Sequence, residues 1–163
     1  MKKIKKLKKK LRYLSFLEKI STYKVKKCFI AYVRKSSKGD IKQPNSIENQ
    51  IREIMDYIKS NNISLLKLTD ELRKEFYDDR NINLDNFEED IKKFLDTYLV
   101  VIDKGSASSQ TMEERVQFRK LLNFIEENNN FHTEYWIICT SSDRLSRNNA
   151  DIHNLFKKIY IMG

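Results

Sequence analysis

Three stretches of this chain join arginine to serine or aspartate in a way that suits phosphate chemistry. In "YVRKSS", Arg34 is followed two residues on by Ser36. The loop "DKGSASSQ" carries Ser106, Ser108 and Ser109, with Arg115 shortly beyond it. "SSDRLSR" supplies Asp143, Arg144 and Arg147. Guanidiniums stay charged at physiological pH and fork around phosphate oxygens with paired hydrogen bonds. Arg144 and Arg147 are three residues apart and share a face wherever the chain there is helical. A helix N-terminus at that point would add its own partial positive charge toward an anion. No Asp, Glu or His cluster has metal-ligand spacing, so the nucleophile on offer is a serine hydroxyl and no metal or other cofactor is expected.

The elements that must position these groups can be read from periodicity. Residues 28–33 are apolar and strand-like, and side chains alternate faces along a strand. Tyr32, Arg34 and Ser36 therefore point one way, and Val33, Lys35 and Ser37 the other, which favours Ser36 as the nucleophile. A helix follows, capped by Ser46, with Ile47, Ile51, Ile54, Met55 and Ile58 as its apolar stripe and an end near Asn61 and Asn62. Gln50 lies on this helix. "ISLLKLT" predicts a strand, and residues 71–98, acidic and partly helical, read as an excursion off the scaffold. The apolar "LVVID" predicts a strand over 99–103. Thr111 and Glu114 fit a capping box for a helix whose apolar face is Val116, Phe118, Leu121, Leu122 and Ile125. "YWIICT" predicts a strand over 135–140, and Ile152, Leu155, Phe156 and Ile159 a last helix. Strands alternating with amphipathic helices predict an α/β domain with a largely parallel sheet flanked by helices. In such sheets functional groups gather beyond the carboxyl ends of the strands. No GxGxxG or P-loop pattern is present.

Charge divides the 163 residues unevenly. Residues 1–27 hold twelve Lys or Arg against the single acid Glu18, a net +11, whereas residues 28–163 net −2. Within this arm Ile4, Leu7, Leu11, Leu14, Leu17 and Ile20 share a helical face, and Lys2, Lys3, Lys5, Lys6, Lys8, Lys9, Lys10 and Arg12 surround them. The arm reads as a basic helix laid along a phosphate backbone or an anionic membrane, or else as a solvated extension. The phosphate chemistry elsewhere puts nucleic acid ahead of a membrane, and no membrane partner is expected. The arm lacks the apolar run and cleavage site of a signal peptide, so a cytoplasmic or nucleoid-associated protein is expected, not a secreted one. Cys28 and Cys139 sit in apolar strand-like runs and read as buried thiols. His132 and His153 stand alone.

Each motif has a plainer reading. "DRLSR" alone is a capped helix start with two surface arginines, and "RKSS" alone a solvated turn. Their joint occurrence, in this order on this scaffold, shifts the balance. Tyr32-x-Arg34-x-Ser36, "SIENQ" with Gln50, "DKGSAS", Arg115 before a helix, and Asp143-Arg144-Leu145-Ser146-Arg147 together resemble the catalytic domain of the serine recombinases, the resolvase/invertase family. The resemblance runs from about residue 28 to 160, with 71–98 as an apparent insertion, giving a basic arm (1–27) and a catalytic domain (28–163).

The resemblance implies a resolvase-like fold and site-specific DNA recombination of a mobile element, whether integration, excision, inversion or transposition. Ser36 would attack a DNA phosphodiester to form a 5′-phosphoserine link and free a 3′-hydroxyl. Arg34, Arg144, Arg147 and Arg115 would offset charge on the phosphoryl oxygens. Asp143 would orient an arginine or handle a proton, and Gln50 would help position Ser36 or the phosphate. The family also implies a homodimer or tetramer on DNA. Three departures stand out: Ala107 follows Ser106 where the family has glycine, Ser142 replaces a lysine, and the chain stops soon after the last motif. The expectation is a catalytic domain incomplete at its C-terminal end. The alternative is a catalytically incompetent remnant that binds DNA or a recombinase without chemistry, and a third reading is an unrelated α/β domain with coincidental motifs.

Overall fold

The computed structural model describes residues 24–34, 46–78, 84–103, 115–128, 130, 132–141, 144–145 and 160–162. The apolar run "KKCFIAYVR" forms β1 (Lys26–Arg34), beginning two residues before the predicted start at Cys28. It pairs in parallel with β2 (Val100–Asp103) on one side and β3 (Thr133–Ile138) on the other. β4 (Tyr160–Met162) continues the sheet in parallel beyond β3, giving the order β2-β1-β3-β4. The sheet is thus parallel throughout its described strands, as the alternation of strands and helices predicts. β4 was not predicted, because three residues are too few to show a period. The predicted last helix lies outside the described residues.

"ISLLKLT" forms single bridges where a strand was predicted. Leu65 bridges Phe29 in parallel and the Leu66 amide donates to the Phe29 carbonyl at 2.7 Å. From Ala31 onward β2 occupies that edge of β1, so this segment turns instead to pair antiparallel with Tyr98 through Lys67.

A parallel sheet needs both faces covered. α1 (Ile47–Ser60) starts where Ser46 predicts: the serine hydroxyl accepts the Asn49 amide at 3.1 Å. Asn62, at φ 53°, takes the left-handed turn that follows it. α1 sends Ile51, Ile54 and Ile58 against Ala31, Val33, Val100, Ile102 and Ile138. α4 (Val116–Glu127) packs Phe118, Leu121 and Ile125 on the opposite face against Ile30, Tyr32, Val101 and Ile137. Val116, predicted on that apolar face, is 48% exposed at the first position of the helix.

The segment read as an excursion is built into both layers. α2 (Asp70–Tyr77) buries Leu72, Phe76 and Tyr77 on the α4 side, while α3 (Glu89–Thr97) buries Ile91, Phe94 and Leu95 on the α1 side. The Tyr77 hydroxyl donates to the Tyr98 carbonyl at 3.0 Å and accepts the Val100 amide at 3.1 Å, fixing the entry to β2. Arg52 of α1 reaches Glu88 at 2.6 Å and Asp90 at 3.0 Å, tying α1 to the start of α3. Its acidic composition hid this role, since the acids cover the outer side of helices whose inner sides are apolar. Cys28 and Cys139 are both buried free thiols. Among the described residues no helix is long and apolar enough to cross a membrane.

If α2 and α3 are core elements, truncating them destabilises the whole domain. Phe76→Ala and Leu95→Ala are each expected to lower the unfolding free energy by about 2–5 kcal/mol in equilibrium denaturation. A loss below about 0.5 kcal/mol, typical of surface changes, would return the segment to a peripheral role.

Candidate active site

β1 lies between β2 and β3 and runs parallel to both, so the three motif-bearing strands end on one edge of the sheet. Arg34 and Asp103 are register partners at the ends of β1 and β2. Alternation places them on the face of Tyr32 and Val101, the face that α4 covers. Arg34, Asp103, Arg115 and Arg144 are all buried, with exposures of 1, 4, 4 and 7%. These three arginines and one aspartate are the buried Lys, Arg, Asp and Glu side chains among the described residues.

The Gln50 side chain grips the backbone of Arg34 in the manner of a neighbouring strand. The Arg34 amide donates to Gln50 Oε1 at 3.2 Å, and Gln50 Nε2 donates to the Arg34 carbonyl at 2.9 Å. β3 pairs with β1 only as far as Ala31, so the last turn of the strand depends on other partners, and α1 provides one. Gln50 therefore fixes the chain two residues ahead of Ser36.

Asp103 joins three elements. One carboxylate oxygen, Oδ2, accepts the Tyr32 hydroxyl at 3.0 Å and the Phe118 amide at 3.1 Å; Oδ1 accepts the Gln117 amide at 3.1 Å. The first amides of a helix have no partner within it, and a carboxylate there also meets the positive end of the helix dipole. Asp103 thus performs the capping that Thr111 and Glu114 were predicted to supply. The described helix begins at Val116 with Arg115 as its cap residue and no side-chain cap bond from it; Thr111 and Glu114 lie outside the described residues.

Burial pushes the Asp103 carboxyl above its ordinary value of 3.8, against the opposing pull of the Tyr32 hydroxyl, the Gln117 and Phe118 amides and the Arg115 charge. Burial, and then the Asp103 carboxylate, pushes the Tyr32 phenol well above its ordinary value of 10.

Arg115 sends Nη1 to the backbone carbonyls of Arg144, at 3.3 Å, and Leu145. That turn leaves β3 and is closed by the Arg144 amide donating to the Ser141 carbonyl at 3.1 Å. The structure therefore brings Arg34, Gln50, Arg115 and Arg144 to one sheet edge. Ser36, Asp143, Arg147, Ser106, Ser108 and Ser109 lie outside the described residues. So do Lys2, Lys3, Lys5, Lys6, Lys8, Lys9, Lys10 and Arg12 of the arm. In the sequence Tyr32 has a face but no evident role, and Asp103 does not stand out. The available signal was an aspartate ending the apolar run "LVVID", in the place where a buried strand meets a loop. Among the described residues, no group of three or more His, Cys, Asp or Glu is placed to hold a metal ion.

A family model described as "Resolvase, N terminal domain" matches residues 77–163, just over half the chain. The matched span covers β2, Asp103, Arg115 and the Asp143–Arg147 motif, and begins after β1 and α1. Comparison with curated proteins and with solved structures returned no match.

The direction of the Asp103 shift fixes a sign. A folded-state value above the unfolded one means that the folded chain holds this proton more tightly. The group's contribution to stability is then full below 3.8 and declines as pH rises through the folded value. As pH rises above 3.8, wild type should lose stability relative to Asp103→Asn, read by denaturant titration at each pH. A relative gain as pH rises would mean that the hydrogen bonds outweigh burial.

Proposed function

The chain belongs to the resolvase N-terminal domain family, whose members act on DNA in site-specific recombination, and from that premise we propose that it cuts and rejoins DNA with Ser36 as nucleophile. The observation that carries this reading is the convergence of Arg34, Arg115 and Arg144 on one buried edge, at the end of the strand that leads to Ser36. A guanidinium-rich layer of low polarity favours an anion that gains charge as it reacts.

In the proposed reaction the Ser36 Oγ attacks the phosphorus and forms a P–O bond as the bond to the 3′-oxygen breaks. The serine proton is passed on and the leaving oxygen departs as a 3′-hydroxyl, so one phosphoester replaces another. Because the number of phosphoester bonds is conserved, the 3′-hydroxyl of a second strand can attack the phosphoserine and reseal DNA without an energy source. Arg34, Arg144 and Arg147 would offset the charge that builds on the non-bridging oxygens. Asp143 would orient one of them or handle the proton at the leaving oxygen. Gln50 would contribute by holding the Arg34 backbone, which limits where Ser36 can sit. The arm would add sequence-blind phosphate contacts and hence affinity.

Two experiments test this. Incubated with a nicked crossover duplex and then denatured, wild type should give a covalent protein–DNA adduct that Ser36→Ala lacks; Arg34→Ala should lower its yield by about 10²–10³. Equal adduct from wild type and Ser36→Ala, or none from either at high protein, sinks the enzymatic reading. For the arm, residues 1–23 are the part to delete, since Lys26 already belongs to β1. Their loss should weaken binding to unrelated duplex DNA and flatten its salt dependence. DNA retention that depends on the arm but never yields adduct would favour a binding module without chemistry.

A further inference from the structure

We propose that Arg115 is a positioning residue: it holds the backbone carbonyls of Arg144 and Leu145, and so the turn that carries Arg144, in place of touching the phosphate itself. This rests on reading the strand-end edge as a DNA phosphodiester site, and it changes the role that Arg115 has in that site.

Both carbonyls are served by a single nitrogen, Nη1. The turn they belong to leaves a buried strand end, and Arg144 and Leu145 are themselves 7 and 1% exposed. Backbone carbonyls in such a place need a donor, and a charged donor makes the stronger bond. Drawing Arg115 away toward a phosphate would take this charged donor from both carbonyls, at a cost of the same order as a new phosphate hydrogen bond would return.

The other end of Arg115 is equally fixed. Its own carbonyl accepts the Arg119 amide at 2.9 Å as the first bond of α4, and the Gln117 and Phe118 amides, two and three residues on, belong to Asp103. The residue thus sits between a helix start locked by Asp103 and a turn that it locks in turn. The path runs from Tyr32 through Asp103 and the start of α4 to Arg115 and the Arg144 turn, linking the ends of β1, β2 and β3 without a direct strand pairing between β2 and β3.

A charge acting on the phosphate and a donor acting on carbonyls are separated by replacing arginine with citrulline, which keeps a terminal NH₂ donor but is neutral. Arg115→citrulline and Arg115→Met would be introduced into the full chain. Two readouts apply: the carbonyl ¹³C resonances of Arg144 and Leu145, and adduct yield on the nicked duplex. Positioning predicts that citrulline keeps both resonances near wild type and retains adduct within about tenfold, while Met shifts both resonances upfield and loses about 10². Citrulline falling as far as Met in adduct, with resonances still at wild-type positions, would overturn the proposal in favour of direct charge stabilisation. Resonances unmoved in Arg115→Met would overturn it as well. If Met fails to fold, the isosteric citrulline variant still decides between charge and donor. If wild type forms no adduct, the proposed reaction fails, and the resonances alone still decide whether Arg115 holds the turn.

Discussion

The carboxylate of Asp103 is the constraint on which the strand-end edge depends. It sits 4% exposed at the end of β2 and accepts three hydrogen bonds, from a side chain of β1 and from two amides at the start of α4. Each donor would be buried and unsatisfied without it, a cost of about 1–3 kcal/mol apiece. The same burial penalises the ionised carboxyl, so the group is held where it is by partners and not by any preference for the interior. Its position sets where α4 begins, and the start of α4 sets where Arg115 stands.

Parallel pairing does the rest of the positioning. Three adjacent parallel strands necessarily finish on one edge, and the two-residue period of a strand decides which face each terminal side chain meets. Tyr32 and Arg34 on β1 and Val101 and Asp103 on β2 fall on the α4 face, while Val33 and Ile102 turn toward α1. The helices that cover those faces are drawn in pairs from separate parts of the chain: α4 with α2, and α1 with α3. The described residues of 71–98 therefore join the core on both faces of the sheet, through Phe76 on one and Leu95 on the other.

What could be read from the sequence is what depends on near neighbours. The Ser46 cap lies three residues from the amide it serves, and the stripe of Ile51, Ile54 and Ile58 repeats with the helix, so α1 was legible almost to the residue. The face shared by Tyr32 and Arg34 followed from a period of two. What escaped depends on distance along the chain. Asp103 meets Tyr32 across 71 residues and the start of α4 across 14, and no local pattern announces either contact. Thr111 and Glu114, outside the described residues, offered a local cap, whereas the Gln117 and Phe118 amides at the start of the described helix are served by a distant carboxylate. Gln50 was singled out through the family resemblance, as a group that positions Ser36 or the phosphate; only the arrival of β1 beside α1 turns its amide into a strand partner for Arg34.

On the proposed reading, the separation of charge along the chain corresponds to a separation of labour between affinity and chemistry. Exposed lysines act over roughly a Debye length, about 10 Å at moderate salt, and attract any polyanion. Arginines buried at a sheet edge, as Arg34, Arg115 and Arg144 are, contribute little to that long-range field. Their value is local: a guanidinium in a poorly solvated layer interacts with a developing charge far more strongly than one in water, provided it is already aimed. On the proposed reading, aim is what Gln50, Asp103 and Arg115 would supply through the backbone. Binding strength and reaction rate in such a chain should therefore respond to different residues, the first to the arm and the second to the hydrogen bonds that hold the three strand ends in register.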